Sequence, residues 1–342
     1  MRRKSAPFGF VRDALGAASC LLLSSCSGIQ HALDVRGPQA ERIAELWWVL
    51  FAICTVVLVI VVVLAVWATF RGRRTDETEI ALSTRQSTKL VLAGGVIIPT
   101  IVLIGLLVHS VAVGNAITSE PAGDALVVDV VGHQWWWEVN YPDRENVSRG
   151  FRTANELRIP VGRPVRVQLA SRDVIHSFWV PNLHGKTDLI PGQSTATWLQ
   201  ADKPGTFRGQ CAEFCGLQHA HMAFMVVAEP PERFEAWAEQ QRRPAEEPAS
   251  SEAARGRDVF LSNACVLCHT VRGTIALGSV APDLTHVASR LTLAAGTLPN
   301  TRGHLAGWIL NPQDIKPGNR MPPTNLEPAD LHALLSFLES LK

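Results

Sequence analysis

The sequence predicts a multidomain membrane protein: a two-helix transmembrane hairpin, then an all-β Greek-key barrel or sandwich, then an all-α domain. Three observations carry this. Two long runs without Asp, Glu, Lys or Arg, Leu46–Phe70 and Leu90–Val113, lie in the first third of the chain. Short β-rich stretches follow, punctuated by Gly, Pro and Asn, and the remainder has helical periodicity. The length of 342 residues suits about two domains beyond the hairpin at roughly 150 residues each. Formal net charge is +1, from 32 Lys+Arg against 31 Asp+Glu, which argues against a nucleic-acid partner because no basic excess exists. Charged residues make up only 18%, and their deficit is concentrated in the two apolar runs, which points to lipid rather than to an unusually large core.

Residues 1–25 read as a signal peptide. Arg2, Arg3 and Lys4 precede a run of small and apolar residues, Ala14–Ser25. The run ends in Leu23-Ser24-Ser25-Cys26, which resembles the lipobox of bacterial lipoproteins and implies lipid on Cys26. An uncleaved or unlipidated leader is the alternative. The hairpin is expected over 40–118, with spans at 46–70 and 90–113, each long enough at about 20 residues per crossing. Gly94, Gly95 and Pro99 predict a kink or close packing in the second span. Arg71, Arg73, Arg74, Arg85 and Lys89 put the connecting loop in the cytoplasm, so the N-terminus and everything after residue 113 face outward.

The β domain is expected over 119–242, as an antiparallel sandwich or barrel. Its candidate strands are Leu126–Val131, Pro164–Ala170, Ser194–Gln200 and Met222–Ala228, followed by a helix over Pro231–Arg242. Arg243–Ser251 has the composition of a linker. The helical domain, 252–342, has candidate helices at Glu252–Asn263, Arg302–Leu310 and Pro328–Leu341.

Cys265-Val266-Leu267-Cys268-His269 is the attachment motif of c-type haem: two thiols bond the haem and the histidine ligates iron. A redox dithiol, half a zinc site or a disulfide are the competing readings, and zinc is weakened because no second cysteine pair lies in this domain. Met321, in Arg320-Met321-Pro322-Pro323, is the candidate second axial ligand, since a thioether raises the potential as an electron carrier needs. His286, His304 and His332 are rivals. Ala281-Pro282-Asp283-Leu284 resembles the loop of class I cytochromes c whose proline carbonyl accepts a hydrogen bond from the axial histidine.

Cys211, Cys215, His219 and Met222 form a soft-ligand array in one loop, and thiolate, imidazole and thioether together suit copper. His176, ahead of a β-rich run, is the candidate second histidine. A disulfide or a zinc site would need neither Met222 nor His176. Strand alternation would put Trp135 and Trp137 on one face, with Trp136 opposite.

With these motifs, residues 40–230 resemble subunit II of cytochrome c oxidase, with its two-helix anchor and cupredoxin-like head. The added haem domain makes the chain similar to the caa-type oxidases of bacteria, in which a class I cytochrome c is fused to that subunit. Gly132-His133-Gln134-Trp135, Asp173–Phe178 and Lys186–Gly192 share in the resemblance, which covers about 300 of the 342 residues. It implies a binuclear copper A centre bridged by Cys211 and Cys215. His176 and His219 would bind one ion each, with Met222 and the Glu213 carbonyl as weak outer ligands. It implies that the Glu213 carboxylate reaches a magnesium ion at the subunit I interface, although an acid at that position could equally be solvated. It assigns Trp135 to electron uptake beside the copper.

The implied activity is that of cytochrome c oxidase. A cytochrome c or a cytochrome bc complex would reduce haem c. Electrons would then pass through copper A to the oxygen-reducing subunit I, with subunit III also a partner. The implied location is the bacterial inner membrane, with the copper and haem domains on the periplasmic side. The chain departs from the family at Lys89–Pro99, which lacks the usual glutamate and tryptophan, so a proton-uptake role for that stretch is in doubt. A free membrane-anchored electron carrier and a copper-delivery or thiol-redox protein are the alternatives from other classes. The second gives His176 and Met222 no role.

Overall fold

The computed structural model describes residues 28–72, 84–119, 123–143 and 145–342. The expected leader with Cys26, and Arg73 and Arg74 of the connecting loop, lie outside the described residues.

Helix α1 spans Pro38–Gly72 and starts well before its apolar run. Pro38 presets φ in the first turn. The added N-terminal turns bury Gln39, Ala40 and Ala44. Helix α2, Thr84–Leu92, widens into a π turn over Ala93–Ile97 and continues as α3, Ile98–Thr118. Pro99 explains the widening: it offers no N–H, and its ring would strike the carbonyl of Gly95 in a regular helix. Neither most hydropathic stretch is buried within the chain, and Leu103 and Leu107 are both 64% exposed. Each such side chain would forgo about 1.5–3 kcal/mol in water, so lipid or another subunit must cover them.

Ten strands follow: β1 Leu126–His133, β2 Trp136–Tyr141, β3 Phe151–Ala154, β4 Glu156–Pro160, β5 Val165–Ser171, β6 His176–Trp179, β7 Thr187–Leu189, β8 Thr195–Leu199, β9 Gly205–Cys211 and β10 Ala223–Glu229. They form two five-stranded sheets, ordered β3-β2-β1-β5-β8 and β4-β10-β9-β6-β7. The expected antiparallel arrangement is corrected to a mixed one, because β1 pairs with β5 and β10 with β4 in parallel. Each parallel pair joins strands that are not consecutive, so the chain crosses between sheets before returning in the same direction. Alternation on β5 puts Val165, Val167 and Leu169 inside and leaves Arg166 and Gln168 outside. Trp137, Phe178 and Phe224 stack in the centre at 4.9–6.2 Å between rings. Opposite them a Cβ on Gly209 would lie 2.2 Å from the Phe224 ring.

Helix α4, Pro231–Arg242, closes the sandwich with Phe234 and Trp237. The helical domain contains α5 Ser251–Ser262, α6 Cys265–Cys268, α7 Arg302–Leu310, α8 Pro312–Ile315 and α9 Pro328–Ser340. Ser250 caps α5 by accepting the Ala253 N–H at 3.1 Å. A small hairpin, β11 Thr292–Leu293 and β12 Leu298–Pro299, interrupts the helices. The core joins Phe260 of α5 to Phe337 of α9.

Both ends of the β domain are anchored. On the membrane side the Gln39 side chain donates to the Trp198 carbonyl at 2.6 Å, and the Trp198 indole donates to the Ile117 carbonyl at 2.9 Å. Toward the helical domain, Arg272 donates to the Gln241 and Arg242 carbonyls, and the Leu291 N–H donates to Glu156 at 2.9 Å.

Candidate metal centres

The β domain brings the predicted soft ligands together at one end. His176 opens β6, Cys211 ends β9, Cys215 and His219 lie in the loop after it, and Met222 immediately precedes β10. Cys211 and Cys215 are 3.7 Å apart at sulfur. His176 Nδ1 lies 3.9 Å from Cys211 Sγ, and His219 Nδ1 lies 3.7 Å from Cys215 Sγ. Met222 Sδ is 3.8 Å from Cys215 Sγ, and the Glu213 carbonyl is 3.2 Å from Cys211 Sγ. His176 and Met222 are fully buried, and Cys211 and Cys215 nearly so. Two sulfurs at the centre, with imidazole, thioether and carbonyl donors around them, fit a pair of copper ions.

The electrostatics suit a cation. The hydrogen bond between the two sulfurs holds Cys211 far below the ordinary thiol range, at about 3, and pushes Cys215 far above it. Such a close sulfur pair favours loss of the first proton over the second, and a metal binding both thiolates would displace the second. Burial pushes His176 down, but its bonds to Cys211 and Asp173 outweigh this and raise it.

Asp173 orients His176 by taking the Nε2 hydrogen bond at 2.8 Å, which leaves Nδ1 for the metal. Burial raises the Asp173 carboxyl, but bonds from His176 and from the Gln134 and Val174 N–H groups hold it low. Its role was missed in the sequence, although its position three residues before His176 was a usable signal. On the other side of His176, a Cβ on Gly132 would come within 2.7 Å of the ring.

The Glu213 carboxylate is 41% exposed at the side chain and lies 3.4 Å from Lys186 Nζ. Phe214 and Leu217, 76% and 71% exposed, form an apolar rim on the same loop. Trp135 sits in the turn between β1 and β2, so strand alternation does not place it beside Trp137. Its indole donates to the Cys215 carbonyl at 2.9 Å, and the Gln134 amide donates to the same oxygen at 2.8 Å.

In the helical domain, Cys265 and Cys268 are free thiols on the single turn α6. The His269 Nδ1–H donates to the Pro282 carbonyl at 2.7 Å, leaving Nε2 for iron. Burial lowers the His269 imidazole, with the Pro282 bond opposing, so the ring is held in its ligating neutral form. Met321 is fastened at both backbone ends: Asn319 accepts its N–H at 2.8 Å and Gln313 donates to its carbonyl at 2.9 Å. The rival histidines are placed elsewhere. His286 bonds the Lys342 and Arg243 carbonyls through both ring nitrogens, His304 bonds Thr301, and His332 is exposed on α9. This donor set fits a covalently held haem.

A further residue with no local sequence signal, Lys316, lies between the two centres. Its Nζ donates to the Trp135 carbonyl at 2.6 Å and to the Ala294 carbonyl at 3.1 Å. Burial lowers its ammonium to about 7, with the neighbouring Cys215 opposing.

The family model described as "Cytochrome C oxidase subunit II, periplasmic domain" matches residues 148–229, and the one described as "Cytochrome c" matches residues 253–342. The cytochrome c oxidase subunit 2 of Alkalihalophilus pseudofirmus is 38% identical over 336 residues, covering 94% of each chain. That of Bacillus sp. strain PS3 is 32% identical over 291 residues, covering 80% of each. Among solved structures, the periplasmic domain of subunit II of cytochrome oxidase from Bradyrhizobium japonicum is 34% identical, covering 36% of this chain and 97% of that one, with a TM-score of 0.34. The chain belongs to the cytochrome c oxidase subunit 2 family and carries a cytochrome c domain on the same polypeptide as its cupredoxin-like domain.

Proposed function

We propose that this chain takes up electrons for a haem-copper terminal oxidase and hands them to the oxygen-reducing subunit I. Haem c would supply a one-electron acceptor for a c-type cytochrome or a quinol–cytochrome c reductase, and binuclear copper A would supply the relay onward. In this reading Cys265 and Cys268 hold the haem, and His269 and Met321 ligate its iron. His176, Cys211, Cys215, His219, Met222 and the Glu213 carbonyl hold the two coppers. The Glu213 carboxylate, exposed on the same loop, would be the ligand this chain offers to a magnesium ion shared with subunit I.

The observation that carries this reading is the position of Trp135. Its indole is hydrogen-bonded to the backbone of Cys215. Its ring packs beside Gly318, three residues before Met321, where a Cβ would lie 3.8 Å away. One aromatic side chain thus bonds the candidate copper loop and lies beside the loop that leads to Met321.

The outward-facing hairpin supports contact with lipid and with subunits I and III. Arg71, Arg85 and Lys89 support a cytoplasmic connecting loop. The metal domains would then lie on the periplasmic side of a bacterial inner membrane.

Two variants in the assembled oxidase test the reading. His269→Ala should abolish donor oxidation while both coppers remain. Cys215→Ser should lose the copper signal while haem c is still reduced by donor. Full copper retention in Cys215→Ser would overturn the assignment.

A further inference from the structure

The contact between the helical and β domains includes the most strained backbone turn among the described residues. Hairpin β11–β12 passes through Ala294, Ala295 and Gly296 at φ of +51°, +58° and +76°. A left-handed backbone costs an alanine about 1 kcal/mol or more, so two in succession persist only where the surroundings hold them. Within the hairpin the Thr297 hydroxyl donates to the Ala294 carbonyl at 2.8 Å, and two further bonds reach the turn from outside it. The Ala223 N–H, next to Met222, donates to the Ala295 carbonyl at 2.9 Å. Lys316 Nζ donates to the Ala294 carbonyl and, across the domain boundary, to the Trp135 carbonyl.

Lys316 is 2% exposed, and among the described residues its side-chain amine bonds these two carbonyls and no carboxylate. A buried amine without a carboxylate is costly, and a methionine of similar length would fill the space without that cost. What the amine adds is a directional tie between three segments. The residues after it complete the contact. The Gln218 side chain donates to the Pro317 carbonyl at 2.8 Å. Gly318, at φ +82°, lets the chain pass so close to Leu217 that a Cβ would lie 3.2 Å from it. Met321 follows three residues later.

We propose that Lys316 is a positioning residue for electron transfer between the two domains. Its amine, bonded at once to the Trp135 and Ala294 carbonyls, holds the helical domain in one standing pose with the Met321 loop against Trp135. The inference rests on the reading that electrons pass from haem c to copper A. One electron leaves the ferrous haem, which becomes ferric, and the same electron reduces the copper pair, with no bond made or broken. Transfer then proceeds within a preformed complex rather than after a search by a tethered domain. Other contacts across the boundary, from Arg272 to the end of α4 and from Leu291 to Glu156, do not involve Lys316 and would act as a hinge.

The test uses the assembled oxidase with the full chain, as wild type and as Lys316→Met. Haem c is reduced by a flash, and arrival of the electron is followed at the copper band across a glycerol viscosity series. The wild-type rate should not depend on viscosity. In Lys316→Met it should fall on the order of tenfold or more and become viscosity-dependent, with the spectra of both centres unchanged; the viscosity dependence is the readout that a shifted copper potential would not produce. A second readout needs no electron transfer: hydrogen exchange at the Ala223 amide should be slow in wild type and at least roughly tenfold faster in the variant.

A variant with wild-type rate and wild-type exchange overturns the proposal. So does a viscosity-dependent rate or an unprotected Ala223 amide in wild type, and this arm stands even if the variant fails to assemble. Wild-type haem c that passes no electron to copper would instead overturn the functional reading.

Discussion

Replacing Gly132 by alanine isolates the packing behind His176. Gly132 lies within β1 at an ordinary extended φ, so the substitution adds a methyl group without backbone strain. The new Cβ would stand 2.7 Å from His176 Cδ2, about 0.7 Å short of the 3.4 Å at which ordinary contact begins. Leu189, at 3.3 Å, blocks a sideways escape. The ring cannot swing outward, because it is fully buried and Asp173 holds Nε2 at 2.8 Å. Either the imidazole or the strand must move by several tenths of an ångström. Metal–ligand distances tolerate only about 0.2 Å, so the ion bound by His176 should be lost or bound weakly. Overpacking itself should cost the metal-free β domain about 1–3 kcal/mol. Copper content and the copper EPR spectrum of the full chain would read the first effect, and a thermal melt the second. The covalent haem content, which depends on the other domain, serves as the internal control. Two coppers with a wild-type spectrum would refute the reasoning that Gly132 and Asp173 together clamp His176 into a ligating pose.

Gly256 makes the equivalent contact in the helical domain. Its Cβ would lie 1.9 Å from the Ala333 carbonyl and 2.9 Å from Phe337, so Gly256→Ala should force α5 off α9 and lower the melting point of the haem domain while copper content is unchanged. A melt within error of wild type would count against this helix crossing. His184, buried beside Thr197 with Nε2 at 2.5 Å from the hydroxyl, supplies a pH dependence. Burial pushes its imidazole down to about 4 from an ordinary 6.5. Between those values the unfolded chain binds the proton and the folded chain does not, so stability is full above pH 6.5 and falls as the pH drops toward 4. The loss should be about 2 kcal/mol by pH 5, at about 1.4 kcal/mol per unit. Denaturation midpoints between pH 7 and 5 would show it, and His184→Gln should flatten the slope. An unchanged slope in that variant would refute the assignment.

What could be read from the chain alone was whatever is local along it. The spans are continuous runs, the haem motif occupies five adjacent residues, and four copper-type donors fall between Cys211 and Met222. Such patterns need no knowledge of the fold, because ligands a few residues apart on one loop are already neighbours in space. Strands β1, β5, β8 and β10 were legible by their apolar content. Strands β3, β6 and β7, each four residues or fewer, were too short to show a period. Pairing direction was not legible, since parallel and antiparallel neighbours bury the same alternating face.

Only the tertiary structure decided how the pieces meet. His176 becomes a neighbour of Cys211 because β6 pairs with β9, and Asp173 and Gly132 set its ring from two different segments. Trp135 left the strand pattern for a turn, where it reaches the Cys215 carbonyl across 80 residues of sequence. Lys316 meets the Trp135 carbonyl across 181 residues. Nothing in the residues around Lys316 distinguishes it from a solvated lysine. Its burial, its two carbonyl partners and its place between the candidate centres arise only when two independently folded cores close on each other, because a hydrogen bond between distant segments depends on where the cores put them and not on the spacing of residues along the chain.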